Sequence, residues 1–208
     1  MGYQACLNAS TEPPRQGNAG AGMGATVGKI LGMAGAMKSG IGTASVDLGG
    51  GALVGAIVAV NAFGDVVDPA TGRIMAGART TKVGPLQIGA EGPFADTLEV
   101  MKSMAGKMIL RFASRGNTVI GVVATNAQLT KEEANKVAQM AHDGIARTIR
   151  PAHTMLDGDT LFAISTGAKK VDVNIVGAYA AEVVAHSIVK AVMAAEAVEN
   201  LPAAKDFK

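Results

Sequence analysis

The residues best suited to chemistry begin with a threonine at the start of an apolar strand. Thr118 follows the short turn Gly116-Asn117 and opens a predicted strand over 118–125. A threonine within a chain is a poor nucleophile, because its hydroxyl needs a base beside it. Cleavage between Asn117 and Thr118 would create an α-amino group with an ordinary pKa of about 7.7–8.0, and this group would be that base. Thr118 is therefore our candidate nucleophile.

Other polar residues stand at predicted strand ends. Asn61 ends the apolar run 52–60, and Asp157 and Asp159, separated by Gly158, precede a further strand. Strand ends are rigid and open to solvent, which suits catalytic groups. The two carboxylates would point the same way in an extended chain, and like charges held close raise one pKa and give an acid and a base. The alternative is a turn in which both aspartates cap backbone groups.

The remaining titratable residues give weaker signals. Lys38 could pair with a carboxylate or lower the pKa of a nucleophile, and the alternative is an ordinary surface lysine. His142, His153 and His186 lack the spacing of a metal site, and the Gly-x-Ser-x-Gly signature is absent. The single Cys6 leaves no multi-cysteine metal site. The sequence predicts neither a metal nor a cofactor.

Residues 16–29 form a glycine-rich segment that suggests nucleotide binding. Gly28-Lys29 matches the end of a Walker A motif, but Met23 stands where the first glycine belongs and Ile30 where the hydroxyl residue belongs. The dinucleotide-binding pattern also fits, yet no predicted strand precedes it. A nucleotide-binding protein therefore ranks third, below a hydrolase that uses Thr118 and below a non-catalytic, oligomer-forming protein.

The composition indicates a single globular domain over residues 1–208, with 49% hydrophobic and 17% charged residues. So apolar a chain is expected to bury further surface in a homo-oligomer. A net charge of +2 and 3% aromatic residues argue against nucleic-acid and membrane partners. One cysteine fits a reducing cytoplasm, and no apolar stretch free of glycine and charge reaches the roughly 20 residues of a membrane span.

The elements expected to position these residues alternate between strand and helix, which predicts an α/β fold. Predicted strands span residues 42–48, 52–60, 118–125, 160–165 and 171–176, and the first two form a hairpin whose second strand is buried on both faces. A capping box at Thr130 and Glu133 begins a helix that Pro151 terminates. An apolar helix follows over 177–198, and residues 79–96 are predicted to be a loop.

The order of these features resembles the L-aminopeptidase/D-esterase family, also called the DmpA-like or β-aminopeptidase family. The similarity is greatest to its nylon-oligomer (6-aminohexanoate-oligomer) endohydrolase branch. The stretches that carry the resemblance are residues 2–6, 16–29, 37–45, 58–61, 116–118, 142–151 and 157–159.

The resemblance implies an α/β layered sandwich of sheets and helices, of the N-terminal-nucleophile-hydrolase type. It implies a hydrolase of small peptides or amides that cuts its own chain between Asn117 and Thr118. The products would be an α fragment, 1–117, and a β fragment, 118–208. Cleaved protomers of such enzymes are expected to assemble as a tetramer.

The resemblance also implies a role for each candidate. Thr118 matches the nucleophile, Asp157 and Asp159 match an acidic pair, Asn61 matches a residue that helps to hold the oxyanion, and Lys38 matches a lysine near the nucleophile. The glycine-rich segment becomes a packing element.

The sequence departs from the family pattern at its start. Full-length members carry roughly another third of chain before the point where this sequence begins, including an active-site tyrosine that neither Tyr3 nor Tyr179 matches. The alternative hypothesis is therefore a truncated, catalytically inactive, oligomeric member of the family.

Overall fold

The computed structural model describes residues 2–83, 86–89, 92–110 and 116–207. Its strands are β1 (Thr26–Val27), β2 (Met37–Lys38), β3 (Ile41–Gly49), β4 (Ala52–Asn61), β5 (Asp65–Val67), β6 (Ile74–Ala76), β7 (Thr81–Val83), β8 (Leu86–Ile88), β9 (Thr118–Ala127), β10 (Ile149–Arg150) and β11 (Thr160–Lys169). Its α-helices are α1 (Gly2–Leu7), α2 (Thr97–Lys102), α3 (Met104–Leu110), α4 (Lys131–Thr148) and α5 (Val173–Ala194).

The centre of the fold is a four-stranded sheet in the order β11-β9-β4-β3. Strands β3 and β4 form the predicted hairpin, and β4 pairs antiparallel with β9. Strand β11 pairs parallel with β9, so the chain must cross over between them, and α4 makes that crossover. The predicted α/β class and the hairpin are confirmed.

Helices α4 and α5 cover one face of this sheet and enclose the main core. Every second side chain of β4 and β9 points into the core, as the period of a strand requires. Burial of an aliphatic side chain of this size stabilises the fold by about 1.5–3 kcal/mol. Fully or almost fully buried members of this core are Val54, Val58, Val119, Val123, Val137, Ile145, Val184 and Ile188.

The opposite face of the sheet, which we call the outer face, carries apolar side chains that the described part of the chain leaves exposed. Leu53, Ile120, Phe162 and Ile164 on this face are 48%, 46%, 54% and 51% exposed, respectively. The prediction that residues 52–60 are buried on both faces is therefore wrong for the first half of the strand. Alternation places Asn61 on this same face, together with Leu53.

The two long helices differ in how well their ends could be predicted. The capping box at Thr130 and Glu133 is present, and α4 begins at Lys131, directly after the N-cap residue Thr130. The predicted strand over 171–176 is wrong, because the carboxylate of Asp172 accepts a hydrogen bond from the backbone N–H of Asn174 and α5 begins at once. By length and composition α5 could cross a membrane, but 61% of its most apolar window is buried inside the fold, as in a core helix.

The segment predicted to be a loop, 79–96, contains the β7–β8 hairpin, while residues 84, 85, 90 and 91 within it lie outside the described residues. The two residues that flank the segment, Ala78 and Thr97, are tied to Asp65 in β5. This buried carboxylate accepts hydrogen bonds from the N–H groups of Ala78 and Thr97, each over 2.7 Å. Burial raises the pKa of Asp65, and these hydrogen bonds oppose the rise.

Candidate active site

Thr118 and Asn61 are paired on neighbouring strands at one end of the central sheet. Thr118 is the first residue of β9, Asn61 is the last of β4, and the two are register partners. The Thr118 hydroxyl donates a hydrogen bond to the carbonyl oxygen of Asn117 over 2.6 Å. Asn117 is only 2% exposed, and its side-chain amide donates to the carbonyl of Leu156 over 3.1 Å. The peptide bond before Thr118 is therefore held in a fixed position, with a hydroxyl against its carbonyl.

The side chain of Asn61 connects this bond to a lysine. Its Nδ2 donates to the carbonyl oxygen of Gly116 over 3.1 Å, one peptide before the Asn117 carbonyl. Its Oδ1 accepts a hydrogen bond of 2.5 Å from Lys29 Nζ. The structure thus brings Asn61 to the candidate bond, while its role as an oxyanion donor to a substrate stays a prediction.

Lys29 is a site residue that the sequence reasoning missed. Its Nζ also donates to the backbone carbonyl of Asn61 over 3.2 Å. Burial lowers the pKa of Lys29 to about 8, and the charge of Asp157 partly opposes this. The sequence does carry one indication of its role: Lys29 is the single charged residue between Arg15 and Lys38. An amine with this pKa is neutral often enough near neutral pH to accept a proton.

Lys38 is buried in a different environment. It is 2% exposed, and its Nζ donates to the backbone carbonyls of Gly22, Ala25 and Ser39 over 3.0, 2.9 and 2.5 Å. Burial lowers its pKa. Two of these hydrogen bonds, to Gly22 and Ala25, tie Lys38 to the glycine-rich segment. The catalytic role expected of Lys38 stays a prediction.

The glycine-rich segment packs closely against the rest of the fold. Gly28 has a φ of +70°, and a Cβ at this position would lie 2.0 Å from the backbone nitrogen of Ala78. A glycine is therefore required there for both conformation and space. The segment thus packs closely, as the family resemblance implied, and it also brings the adjacent Lys29 to Asn61.

Asp157 connects the turn before β11 to the end of β4. Its Oδ1 accepts a hydrogen bond from the N–H of Phe63 over 3.0 Å, and its Oδ2 accepts one from the hydroxyl of Thr154 over 2.6 Å. The carboxylate therefore caps backbone and hydroxyl groups, as the turn interpretation expected.

Asp159 contacts the residue that follows the candidate nucleophile. Its Oδ1 accepts a hydrogen bond from the N–H of Val119 over 2.9 Å, and its Oδ2 lies 2.8 Å from His153 Nδ1. The His153 ring lies beside the His142 ring at an interplanar angle of 56°, with 5.0 Å between the ring centres. Burial and the neighbouring His153 lower the pKa of His142. The two aspartates thus serve different partners, one on each side of Gly158.

A large cavity in the fold lies apart from these residues. It has a volume of about 630 Å³ and contains none of the predicted site residues. Its lining consists of Arg73, Ile74, Met75, Pro93, Phe94, Met193, Ala204 and Phe207. The candidate site is located instead at the end of the central sheet, beside the outer face.

Comparison with known proteins gives consistent matches. The model of the family described as Peptidase family S58 matches residues 1–204. An uncharacterized aminopeptidase of Mycobacterium leprae is 40% identical over 216 residues, covering 96% of this chain and 55% of that protein. A 6-aminohexanoate-oligomer endohydrolase of Paenarthrobacter ureafaciens is 31% identical over 189 residues, covering 85% of this chain and 50% of that protein. The chain thus spans about half the length of these relatives.

A solved structure shares the fold. The L-aminopeptidase D-Ala-esterase/amidase of Ochrobactrum anthropi, described as a variant of the Ntn hydrolase fold, superposes with a TM-score of 0.61 at 21% identity. The match covers 93% of this chain and 48% of that one. The layered α/β architecture predicted from the sequence is therefore confirmed.

Proposed function

The chain belongs to peptidase family S58, and from this premise we propose that it is a peptide or amide hydrolase whose nucleophile, Thr118, is freed by autoproteolysis. The observation that carries the proposal is the contact of 2.6 Å between the Thr118 hydroxyl and the Asn117 carbonyl oxygen. Lys29, bonded to the register partner of Thr118, supplies a nearby amine with a pKa of about 8.

Autoproteolysis would proceed through an ester. Thr118 Oγ attacks the carbonyl carbon of Asn117, and the hydroxyl proton passes to the neutral amine of Lys29. The C–N bond then breaks, the Thr118 nitrogen takes up a proton, and an ester joins the two residues. Water adds to the ester carbonyl, the C–O bond breaks, and Thr118 Oγ regains a proton. The products are a carboxylate on Asn117 and a free α-amine on Thr118.

Turnover would reuse the same hydroxyl. The new α-amine takes the proton from Thr118 Oγ as the latter attacks the substrate carbonyl, and the departing amine of the substrate leaves with a proton. Water then releases the acyl group. Asn61 would be free to donate to the oxyanion once the segment before Thr118 has moved, and removal of such a donor slows comparable reactions by about 10²–10³-fold.

Short peptides and ω-amino-acid amides are the proposed substrates. An aminopeptidase and a 6-aminohexanoate-oligomer endohydrolase are among the relatives, which supports this class. We propose a homo-oligomer as the working form, supported by the exposed apolar side chains of the outer face. We also propose a cytoplasmic location, which the single cysteine favours.

The test is hydrolysis of amino-acid p-nitroanilides, dipeptides and 6-aminohexanoate oligomers by the purified protein. We expect hydrolysis of at least one class, its loss in Thr118→Ala, and a reduced rate in Thr118→Ser. Undiminished hydrolysis by Thr118→Ala would assign the activity to another nucleophile. A chain that is cut before Thr118 but hydrolyses none of these substrates would favour the alternative of an inactive, oligomeric family member.

A further inference from the structure

The backbone amide of Gly158 lies against the two groups that react in the proposed cleavage. Its N–H donates to the carbonyl oxygen of Asn117 over 2.9 Å. The Thr118 hydroxyl donates to the same oxygen over 2.6 Å. A Cβ on Gly158 would lie 3.1 Å from Thr118 Oγ1 and 3.8 Å from the Asn117 oxygen. This glycine is thus in contact with both the nucleophile and the carbonyl that it attacks.

Hydrogen bonds on both sides hold this amide in place. The carboxylate of Asp157 is fixed by the N–H of Phe63, and the carboxylate of Asp159 is fixed by the N–H of Val119. Asn117 and Asp157 also form a parallel bridge, in register with the β9–β11 pairing that follows. The donor is therefore built into the edge of the sheet and needs no rearrangement when charge develops in front of it.

The chemistry of attack leaves the hydrogen bond from this amide in place. When Thr118 Oγ bonds to the carbonyl carbon, the π electrons of the carbonyl move onto the Asn117 oxygen. The hydroxyl loses its proton in the same step, so it can no longer donate to that oxygen. The Asn61 amide donates to the carbonyl of Gly116 instead. Among the described hydrogen bonds to this oxygen, the one from Gly158 N–H persists.

We propose that the Gly158 backbone amide is an oxyanion donor of the cleavage step, an inference that rests on the function proposed above. It also explains the glycine between the two aspartates, since a Cβ at 3.1 Å would press on Thr118 Oγ1. Loss of one such donor slows comparable reactions by about 10²–10³-fold, and we expect a loss of this size in the cleavage rate.

The test removes one N–H and little else. Glycolic acid is installed in place of Gly158 by nonsense suppression in cell-free translation, which changes the amide to an ester. Glycolic acid in place of Gly50, exposed at the β3–β4 turn, is the matched control. Gly158→Ala keeps the N–H and adds only the Cβ. Cleavage before Thr118 is followed by mass spectrometry in the parent and in each variant. The protein is used either alone or fused behind the upstream segment of the M. leprae relative, whichever form of the parent cleaves.

We expect the ester at 158 to slow cleavage by about 10²–10³-fold, the ester at 50 to match the parent, and Gly158→Ala to cleave faster than the ester at 158. Melting temperatures, measured in a Thr118→Ala background, are expected to differ by only a few degrees. Parent-like cleavage with the ester at 158, or cleavage by Gly158→Ala that is as slow as that of the ester, would overturn the inference and leave the proposed function intact. A parent that cleaves in neither form would overturn both.

Discussion

Thr118 gains its proposed reactivity from neighbours that come from distant parts of the chain. Asn61, which is hydrogen-bonded to Lys29, pairs with Thr118 on one side, and the turn that contains Gly158 lies on the other. Before cleavage no α-amine exists at Thr118, so the first step needs a different base. The buried amine of Lys29 fits this task, because burial lowers its pKa to about 8.

This assignment predicts the pH dependence of the cleavage step. Lys29 must be neutral to accept a proton, so cleavage should quicken as the pH rises and level off above about 8. Two pH units below that value the rate should be about a hundredfold lower, because only about 1% of the amine is neutral. The measurement uses precursor kept uncleaved in denaturant and refolded at each pH.

Arginine substitutions separate the two buried lysines. Lys29→Arg stays charged at every accessible pH and should slow cleavage by about 10²–10⁴-fold and remove the inflection. Lys38→Arg should keep the inflection, since the Lys38 ammonium is bonded to backbone carbonyls. If Lys38→Arg removes the inflection and Lys29→Arg keeps it, Lys38 is the base instead of Lys29.

At the scale of single residues, the sequence singles out side chains whose position in a predicted element suggests a role. Thr118, Asn61 and the two aspartates were predicted because they stand at strand ends. Lys29 was missed because its partners lie across the fold, and the Gly158 amide has no signature of its own, since every residue except proline carries an N–H. The fold alone determines which of these backbone groups meets a reacting atom.

At the scale of elements, the packing of α4 on α5 holds the sheet that carries the site. Gly144 in α4 lies where the two helices pack tightly: a Cβ there would lie 2.3 Å from the backbone oxygen of Ala181 and 2.8 Å from the Val184 side chain. The contact with backbone cannot be relieved by a change of rotamer. The helices would have to separate.

Gly144→Ala should therefore destabilise the fold, by about 1–3 kcal/mol, despite the better helix propensity of alanine. Gly24→Ala is the matched control, because no atom lies within 4 Å of the added Cβ. Both are compared by urea denaturation in a Thr118→Ala background, which keeps the chain continuous. Equal stability of the two variants would show that α4 and α5 can separate at little cost.

Element prediction succeeded where the signal was local. The β3–β4 hairpin and the capping box of α4 each depend on neighbouring residues and were found correctly. The first turn of α5 was taken for a strand because Val171, Val173 and Ile175 alternate with polar residues. The cap at Asp172 and packing against the sheet decide in favour of helix.

At the scale of the whole molecule, the central sheet is covered on one face and apolar on the other. Leu53, Ile120, Phe162 and Ile164 give the outer face an exposed apolar surface next to the site. Such a surface is typical of a protein that buries it against another chain. From its apolar composition the sequence predicted that the chain buries further surface in an oligomer. It did not predict which surface, because composition does not say which face of a sheet is left uncovered.

The proposed homo-oligomer predicts an effect of charge on this face. Phe162→Lys, at a position 54% exposed, should dissociate the assembly because a buried ammonium without a partner is costly. Met33→Lys is the control, since Met33 is equally exposed at 55% but lies in a surface turn. Sedimentation velocity measures both. Identical sedimentation of the two variants would remove the outer face from the proposed interface.

The central claim is that the chain cuts itself before Thr118, and denaturing mass spectrometry of the purified protein tests it most directly. Two fragments are predicted, residues 1–117 and 118–208, the second beginning with a free threonine amine. Thr118→Ala should give a single mass. An intact chain, both alone and behind the upstream segment of the M. leprae relative, would contradict the claim.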